Sequence, residues 1–163
     1  MDKRGFSLIE LLIVVAIILV IAAIAIPNLL RSRMAANETS AVATLRVLNT
    51  AEVTYAMTYN SGFSNGLNWL GPPASGVPSA NAADLADPTL AGLGPQGTNT
   101  SFVKNGYLFV YHPNGTYPNV QSYSINADPQ LRGTSGQRSF FTNEPLVIRA
   151  NGITVATASD NPI

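Results

Sequence analysis

The chain has 163 residues, of which 46% are apolar and only 11% charged, with nine Lys and Arg against nine Asp and Glu. Charged residues thus run at less than half the level of an ordinary soluble domain, about 25%, and a neutral, charge-poor chain has no electrostatic footprint for nucleic acid. With no Cys and a single His, His112, the chain lacks disulfides, thiolate nucleophiles, Cys-type zinc sites, iron–sulfur clusters and two-His metal motifs, so no metal or cofactor is expected.

The apolar residues concentrate at the start. Leu11 to Ile26 is an unbroken apolar run, and Phe6, Leu8 and Ile9 extend it towards the N-terminus, interrupted by Glu10. As a helix, residues 6–26 measure roughly 32 Å, close to the hydrocarbon thickness of a bilayer, about 30 Å. No face of this helix is polar, so it does not suit the surface of a soluble domain. Met1-Asp2-Lys3-Arg4 resembles the basic start of a secretory signal, but the apolar run is too long for one and meets Pro27-Asn28-Leu29 without a good A-x-A site. A membrane anchor with Lys3 and Arg4 on the cytoplasmic side fits better.

Glu10 is the residue that a plain anchor does not explain, since a carboxylate within a spanning segment is costly and is a functional suspect by default. Were Phe6 a free N-terminus, its ammonium and the Glu10 carboxylate would neutralise one another, within a chain or between neighbours. Near the first helical turn the macrodipole also favours a negative charge. On position alone, simple solvation at headgroup depth is an equal alternative. Pro27 lacks an N–H and clashes with the carbonyl four residues earlier, so it either ends the helix at the membrane surface or kinks it. The helical pattern resumes at once, which favours the kink.

The run Lys3-Arg4-Gly5-Phe6-Ser7-Leu8-Ile9-Glu10, followed by the apolar stretch and Pro27, closely resembles the class III leader of type IV pilins and type II secretion pseudopilins. The resemblance implies that a membrane prepilin peptidase cuts between Gly5 and Phe6 and that Phe6 is then N-methylated. It casts Lys3 and Arg4 as the leader held in the cytoplasm. Gly5 is the side-chain-free residue that lets a protease reach the backbone. Phe6, Glu10 and Pro27 are the assembly residues, with Glu10 the partner of a buried ammonium.

Beyond Pro27 no Gly or Pro occurs until Gly62, and Leu45, Leu48, Tyr55 and Tyr59 share a face with Ala41 and Glu52, with Val42 beside it. This predicts an amphipathic helix over residues 28–60, suited to packing on a sheet. Arg31 and Arg33 read as interfacial, and Glu38 and Glu52 as partners for Arg residues of neighbours. Residues 61–104 are dense in turn signals such as Gly71-Pro72-Pro73 and Gly92-Leu93-Gly94-Pro95. The stretch is too long for a passive linker. Leu67, Trp69 and Leu70 should fold onto the domain, and Ala82–Leu85 with Leu90 suggests a short helix. The resemblance makes this the variable loop of a filament subunit.

Residues 105–163 read as strands: Tyr107–Tyr111, ended by a turn at His112-Pro113-Asn114-Gly115; Gln121–Ala127; Arg138–Thr142; and Leu146–Arg149 after a turn at Asn143-Glu144-Pro145, with a short last strand at Ile153–Ala156. The expected fold is α+β. A long N-terminal helix, kinked near Pro27 and transmembrane in its first half, packs on a C-terminal antiparallel sheet of about four strands. The divisions are a leader at 1–5, a membrane and filament-core helix at 6–27, an amphipathic half at 28–60, a loop at 61–104 and the sheet at 105–163.

No catalytic constellation emerges. Asp128, Glu144 and Asp160 are too scattered for a calcium loop, and the aromatics read as core and sheet packing. The expected function is a structural subunit, not an enzyme: by resemblance a type IV major pilin that polymerises with other copies through its apolar helix. The resemblance supplies the partners (prepilin peptidase, an inner-membrane platform and a cytoplasmic ATPase). It also places the precursor in the inner membrane and the assembled form in a surface filament for motility, adhesion or DNA uptake. The alternatives are a major pseudopilin of type II secretion, disfavoured because an acidic calcium loop and a Trp-Gly segment near the C-terminus are missing, and a membrane-tethered binding domain.

Overall fold

The computed structural model describes residues 6–163. The chain divides into two compact units, Met1–Arg33 and Met34–Ile163. Helix α1, Leu8–Tyr59, contributes to both, and Pro27 lies inside it, so Pro27 does not end the helix. Every described residue of the first unit except Ala22 is exposed.

In the second unit α1 buries Glu38, Ala41, Thr44, Leu45, Leu48, Asn49, Ala51, Glu52 and Tyr55. The steps of three and four between them trace one face of a 3.6-residue helix, the face expected from the apolar spacing. The helix stops where Asn60 takes a left-handed conformation with φ 49°. Asn is one of the few side-chain-bearing residues that ends helices this way.

Against that face lies a five-stranded antiparallel meander in the order β1 (Ser101–Lys104), β2 (Tyr107–Asn114), β3 (Ser122–Pro129), β4 (Ser139–Asn143), β5 (Arg149–Asn151). The fold is α+β. Strand periodicity puts Tyr107, Phe109 and Tyr111 of β2 and Tyr123, Ile125 and Ala127 of β3 on the buried face. One cross-strand row runs Phe102, Phe109, Ala127, Phe140, Ala150. The Phe102 and Phe109 rings stack at 4.6 Å. These rings and Leu45, Leu48 and Tyr55 of the helix form one core, in which each large side chain contributes about 1.5–3 kcal/mol by leaving water.

The sheet departs from expectation at four places. β1 arises from Ser101–Lys104, within the stretch read as loop. Asn105 and Gly106 both have positive φ, 49° and 73°, which is what a two-residue hairpin twisted like its strands requires. His112 and Pro113 are not a turn: β2 runs through them to Asn114, with exposed His112 opposite Ser124. The strand expected at Leu146–Arg149 begins only at Arg149. Leu146 is held in the left-handed region, φ 63°, by the turn in which its N–H donates to the Asn143 carbonyl. No strand forms at Ile153–Ala156, because the Ile153 and Thr154 N–H groups turn back onto Asn151 Oδ1. The following segment is tied down by side chains instead. Asp160 accepts from Thr157 and Asn151, and Arg149 donates to the Asp160 carbonyl.

The loop packs as expected at Leu67–Leu70, a single 3₁₀ turn with both leucines buried, and Trp69 meets Tyr117 edge-on at 5.0 Å. Ala82–Leu85 is not helical. Its backbone runs back along that turn, with the Ala83, Leu85 and Ala86 N–H groups donating to the carbonyls of Trp69 and Leu70.

Candidate functional site

Lys3, Arg4 and Gly5, three of the residues singled out in the sequence, lie outside the described residues. Of the others, Phe6 is 86% exposed and precedes the first turn of α1. There Ser7-x-x-Glu10 has the spacing of a capping box. The Ser7 N–H donates to Glu10 Oε2 at 2.9 Å, and the Glu10 and Leu11 N–H groups donate to the Ser7 carbonyl. Glu10 therefore satisfies a backbone donor that the helix cannot, and its charge sits at the positive end of the macrodipole.

From Leu8 to Leu30 the large apolar side chains are exposed on all sides, and the segment is long and apolar enough to cross a membrane. Pro27 withholds an N–H from the carbonyl of Ala23, next to the small residues Ala22, Ala23 and Ala25. This stretch has no reactive group except the Glu10 carboxylate. Its chemistry is that of a surface awaiting lipid or other apolar helices.

The second unit holds a polar set that sequence reasoning did not find. The Glu38 carboxylate is not left for a neighbouring copy. Arg138 Nε donates to it at 2.8 Å, and the backbone N–H groups of Gln137 and Arg138 donate to its other oxygen. Asn49 of α1 receives the Tyr123 hydroxyl at 3.0 Å and donates to Thr142 at 2.9 Å. Glu52 is fully buried within its own chain, so it too is no partner for a neighbour. The signal was available, since residues 38, 49 and 52 fall in the same helical register as Leu45 and Leu48.

Burial opposes ionisation of Glu38, but the hydrogen bonds from Gln137 and Arg138 and the adjacent guanidinium outweigh it and lower the carboxyl from its ordinary range. A lowered folded-state pKa means fewer protons bound folded than unfolded. Its stabilisation is present above the ordinary carboxylate range and is lost as pH falls through the lowered value. With Arg138 about half exposed, at 49% for its side chain, the ion pair itself is worth little. The backbone bonds to a charged acceptor carry more. Glu38→Gln is expected to cost about 1–2 kcal/mol near neutral pH and to shrink the acid-side fall in stability. Urea midpoints measured as pH is lowered check this; an unchanged acid limb contradicts it.

Among the described residues no three His, Asp or Glu side chains gather into a group fit for a metal ion. Asn37, Asn99 and Asn114 each begin an Asn-x-Ser/Thr triplet, the short pattern of a glycosylation acceptor; the Asn37 and Asn114 amides are already spent on the Ser135 carbonyl and the Ser122 hydroxyl.

Residues 1–26 match a family model described as the prokaryotic N-terminal methylation motif. Over 64 residues the chain is 48% identical to the type IV wide pilus major component PilA4 of Thermus thermophilus, a match covering 39% of this chain and 49% of that one. Over 53 residues it is 47% identical to the type IV major pilin protein PilA of Myxococcus xanthus, covering 32% of this chain and 24% of the relative. Over these stretches the chain is similar to type IV pilins. It spans about half the length of the first relative and about a quarter of the second. No solved structure matches the chain.

Proposed function

We propose that this chain is a structural subunit of a type IV pilus, held in the membrane by residues 6–26 until it polymerises through the same segment. The observation that carries the reading is the apolar helix, exposed on every side and carrying the lone carboxylate Glu10, within the residues 1–26 that match a methylation motif. Lipid and the helices of other copies are equally apolar, so transfer from one to the other is energetically close to balanced. A head-to-tail contact repeated without closure then yields a filament. In this reading Lys3 and Arg4 keep the leader cytoplasmic, a prepilin peptidase cuts between Gly5 and Phe6, and Phe6 is N-methylated. The new ammonium pairs with Glu10, and Pro27 loosens one rung of the helix where subunits pack. A cytoplasmic ATPase and an inner-membrane platform supply the extraction work. The subunit passes from the inner membrane to a surface filament. The relatives are both named as pilus components, which does not favour the pseudopilin alternative.

Because Met34–Ile163 is a compact unit with its own core, deleting residues 1–27 is expected to leave a folded, monomeric α+β domain that does not enter filaments. Circular dichroism, light scattering and electron microscopy of complemented cells check this. A truncated protein that still polymerises contradicts the proposed role of the apolar helix.

A further inference from the structure

Glu52 lies on the core face of α1 with no exposed surface, and the ion pair formed among the described residues, Glu38–Arg138, does not involve it. Its two oxygens are hydrogen-bonded by Ser64, which is itself fully buried, and the Tyr111 hydroxyl lies beside them. The Ser64 N–H donates to Oε2 at 2.9 Å, and Ser64 Oγ lies 2.6 Å from Oε1. Ser64 Oγ is also 3.1 Å from the Gly66 carbonyl oxygen and 3.3 Å from the Tyr111 hydroxyl, which donates to the Ser64 carbonyl at 2.8 Å.

Counting protons decides between two states. Tyr111 spends its proton on the Ser64 carbonyl, so Ser64 has one hydroxyl proton for three acceptors, of which Glu52 Oε1 and the Gly66 carbonyl are the nearer two and the Tyr111 oxygen, at 3.3 Å, the farthest. With an ionised Glu52, that proton goes to Oε1 and nothing joins Ser64 Oγ to the Gly66 carbonyl. A carboxylate held by the two Ser64 bonds, with only the neutral Tyr111 hydroxyl beside it and no cation, then sits in the core, where an uncompensated charge is costly. With a neutral Glu52, Oε1–H donates to Ser64 Oγ and Ser64 O–H donates to Gly66. The Ser64 N–H meets the acid carbonyl Oε2, so each short contact has a donor and an acceptor.

We propose that Glu52 is carried as a neutral carboxylic acid and acts as a proton-loaded latch, fastening the chain at Ser64–Gly66 to helix α1 where the long loop departs. The titratable groups facing it are phenols: Tyr111 of β2, Tyr123 of β3 and Tyr55 on α1 itself. None supplies a positive charge that would stabilise the carboxylate. Burial raises the Glu52 carboxyl from its ordinary range against the pull of the Ser64 bonds and of the Tyr111 hydroxyl. The folded state therefore keeps a proton that the unfolded chain releases. The stabilisation is whole below the ordinary carboxylate range and is lost as pH rises through the raised value, opposite in sign to Glu38.

The test uses the full chain in detergent. At neutral pH its infrared spectrum is expected to show the carbonyl stretch of a protonated carboxylic acid, absent from Glu52→Gln. Glutamine offers an N–H to Ser64 Oγ and a carbonyl to the Ser64 N–H, so it reproduces the neutral acid. Its denaturation midpoint should match or exceed that of the wild type and lose the decline seen as pH rises towards about 9, below the range of free phenols. A wild-type spectrum without that band overturns the proposal whether or not the variant folds. So does a Glu52→Gln protein with a lower midpoint at neutral pH.

Discussion

Replacing Gly5 with leucine is expected to leave the chain in the membrane at its full length, with no filaments on the cell. In the proposed reading Gly5 precedes the scissile bond, and its lack of a side chain lets the peptidase approach the backbone closely. A leucine puts a branched side chain there. The loss compounds downstream. Without the cut, Phe6 has no ammonium to be methylated or paired, and Lys3 and Arg4 remain attached to a segment that would have to enter an apolar filament interior. Two charges taken into such a setting cost far more than helix packing returns. The measurement is the mass of the membrane-associated protein beside the wild type. Protein of mature size from Gly5→Leu contradicts the proposed cleavage site.

Glu10→Ala is expected to spare cleavage and still abolish most of the fibre yield. Two effects combine. The helix loses the carboxylate that receives the Ser7 N–H, worth about 1 kcal/mol for a helix cap. In the proposed filament the new ammonium of Phe6 would lose its partner, and stranding one half of a buried pair costs about 3–5 kcal/mol. Glu10→Gln separates the two, since it retains a carbonyl for Ser7 but has no charge. If the charge governs assembly, the glutamine variant should fail nearly as badly as the alanine variant; if the cap governs it, glutamine should restore fibres. Quantifying sheared surface material against processed protein in the membrane reads this directly. Wild-type yield from Glu10→Ala removes Glu10 from the assembly machinery.

The long elements were legible because one physical signal dominated each. The apolar run up to Ile26 has no polar face, and Ala41, Leu45, Leu48 and Tyr55 keep helical spacing without a Gly or Pro between them. The buried aromatics of β2 and β3 followed from alternation. The missed parts turned on conformation or register instead of hydrophobicity. β1 is four residues long in a turn-rich setting, yet Asn105-Gly106 between Ser101–Lys104 and Tyr107–Asn114 is a hairpin signal in its own right. β5 was displaced by the left-handed Leu146, which nothing about leucine announces. The sequence puts Glu52 on the helix face of Leu45 and Leu48, but it offers no partner within the chain for Glu38 or Glu52, so both read as partners for Arg residues of neighbours. Their register placed them against the sheet, where Arg138 and Ser64, distant in sequence, complete them. For the N-terminal site the case was stronger in sequence than in structure. Gly5 and Phe6 are meaningful through the motif they form, and what the structure adds is the capping geometry of Glu10 and the all-round exposure of the helix behind it.

The two units place opposite demands on solvent, and that is the core of the account. Met34–Ile163 covers its own core, whereas residues 6–30 present apolar side chains in every direction. In the proposed reading such a segment is covered first by lipid and then by copies of itself. The most direct test is electron microscopy of sheared cell-surface material joined to mass spectrometry of its N-terminus. The account predicts filaments whose subunit begins at an N-methylated Phe6. Native protein that begins at Met1 and stays monomeric in every fraction contradicts it.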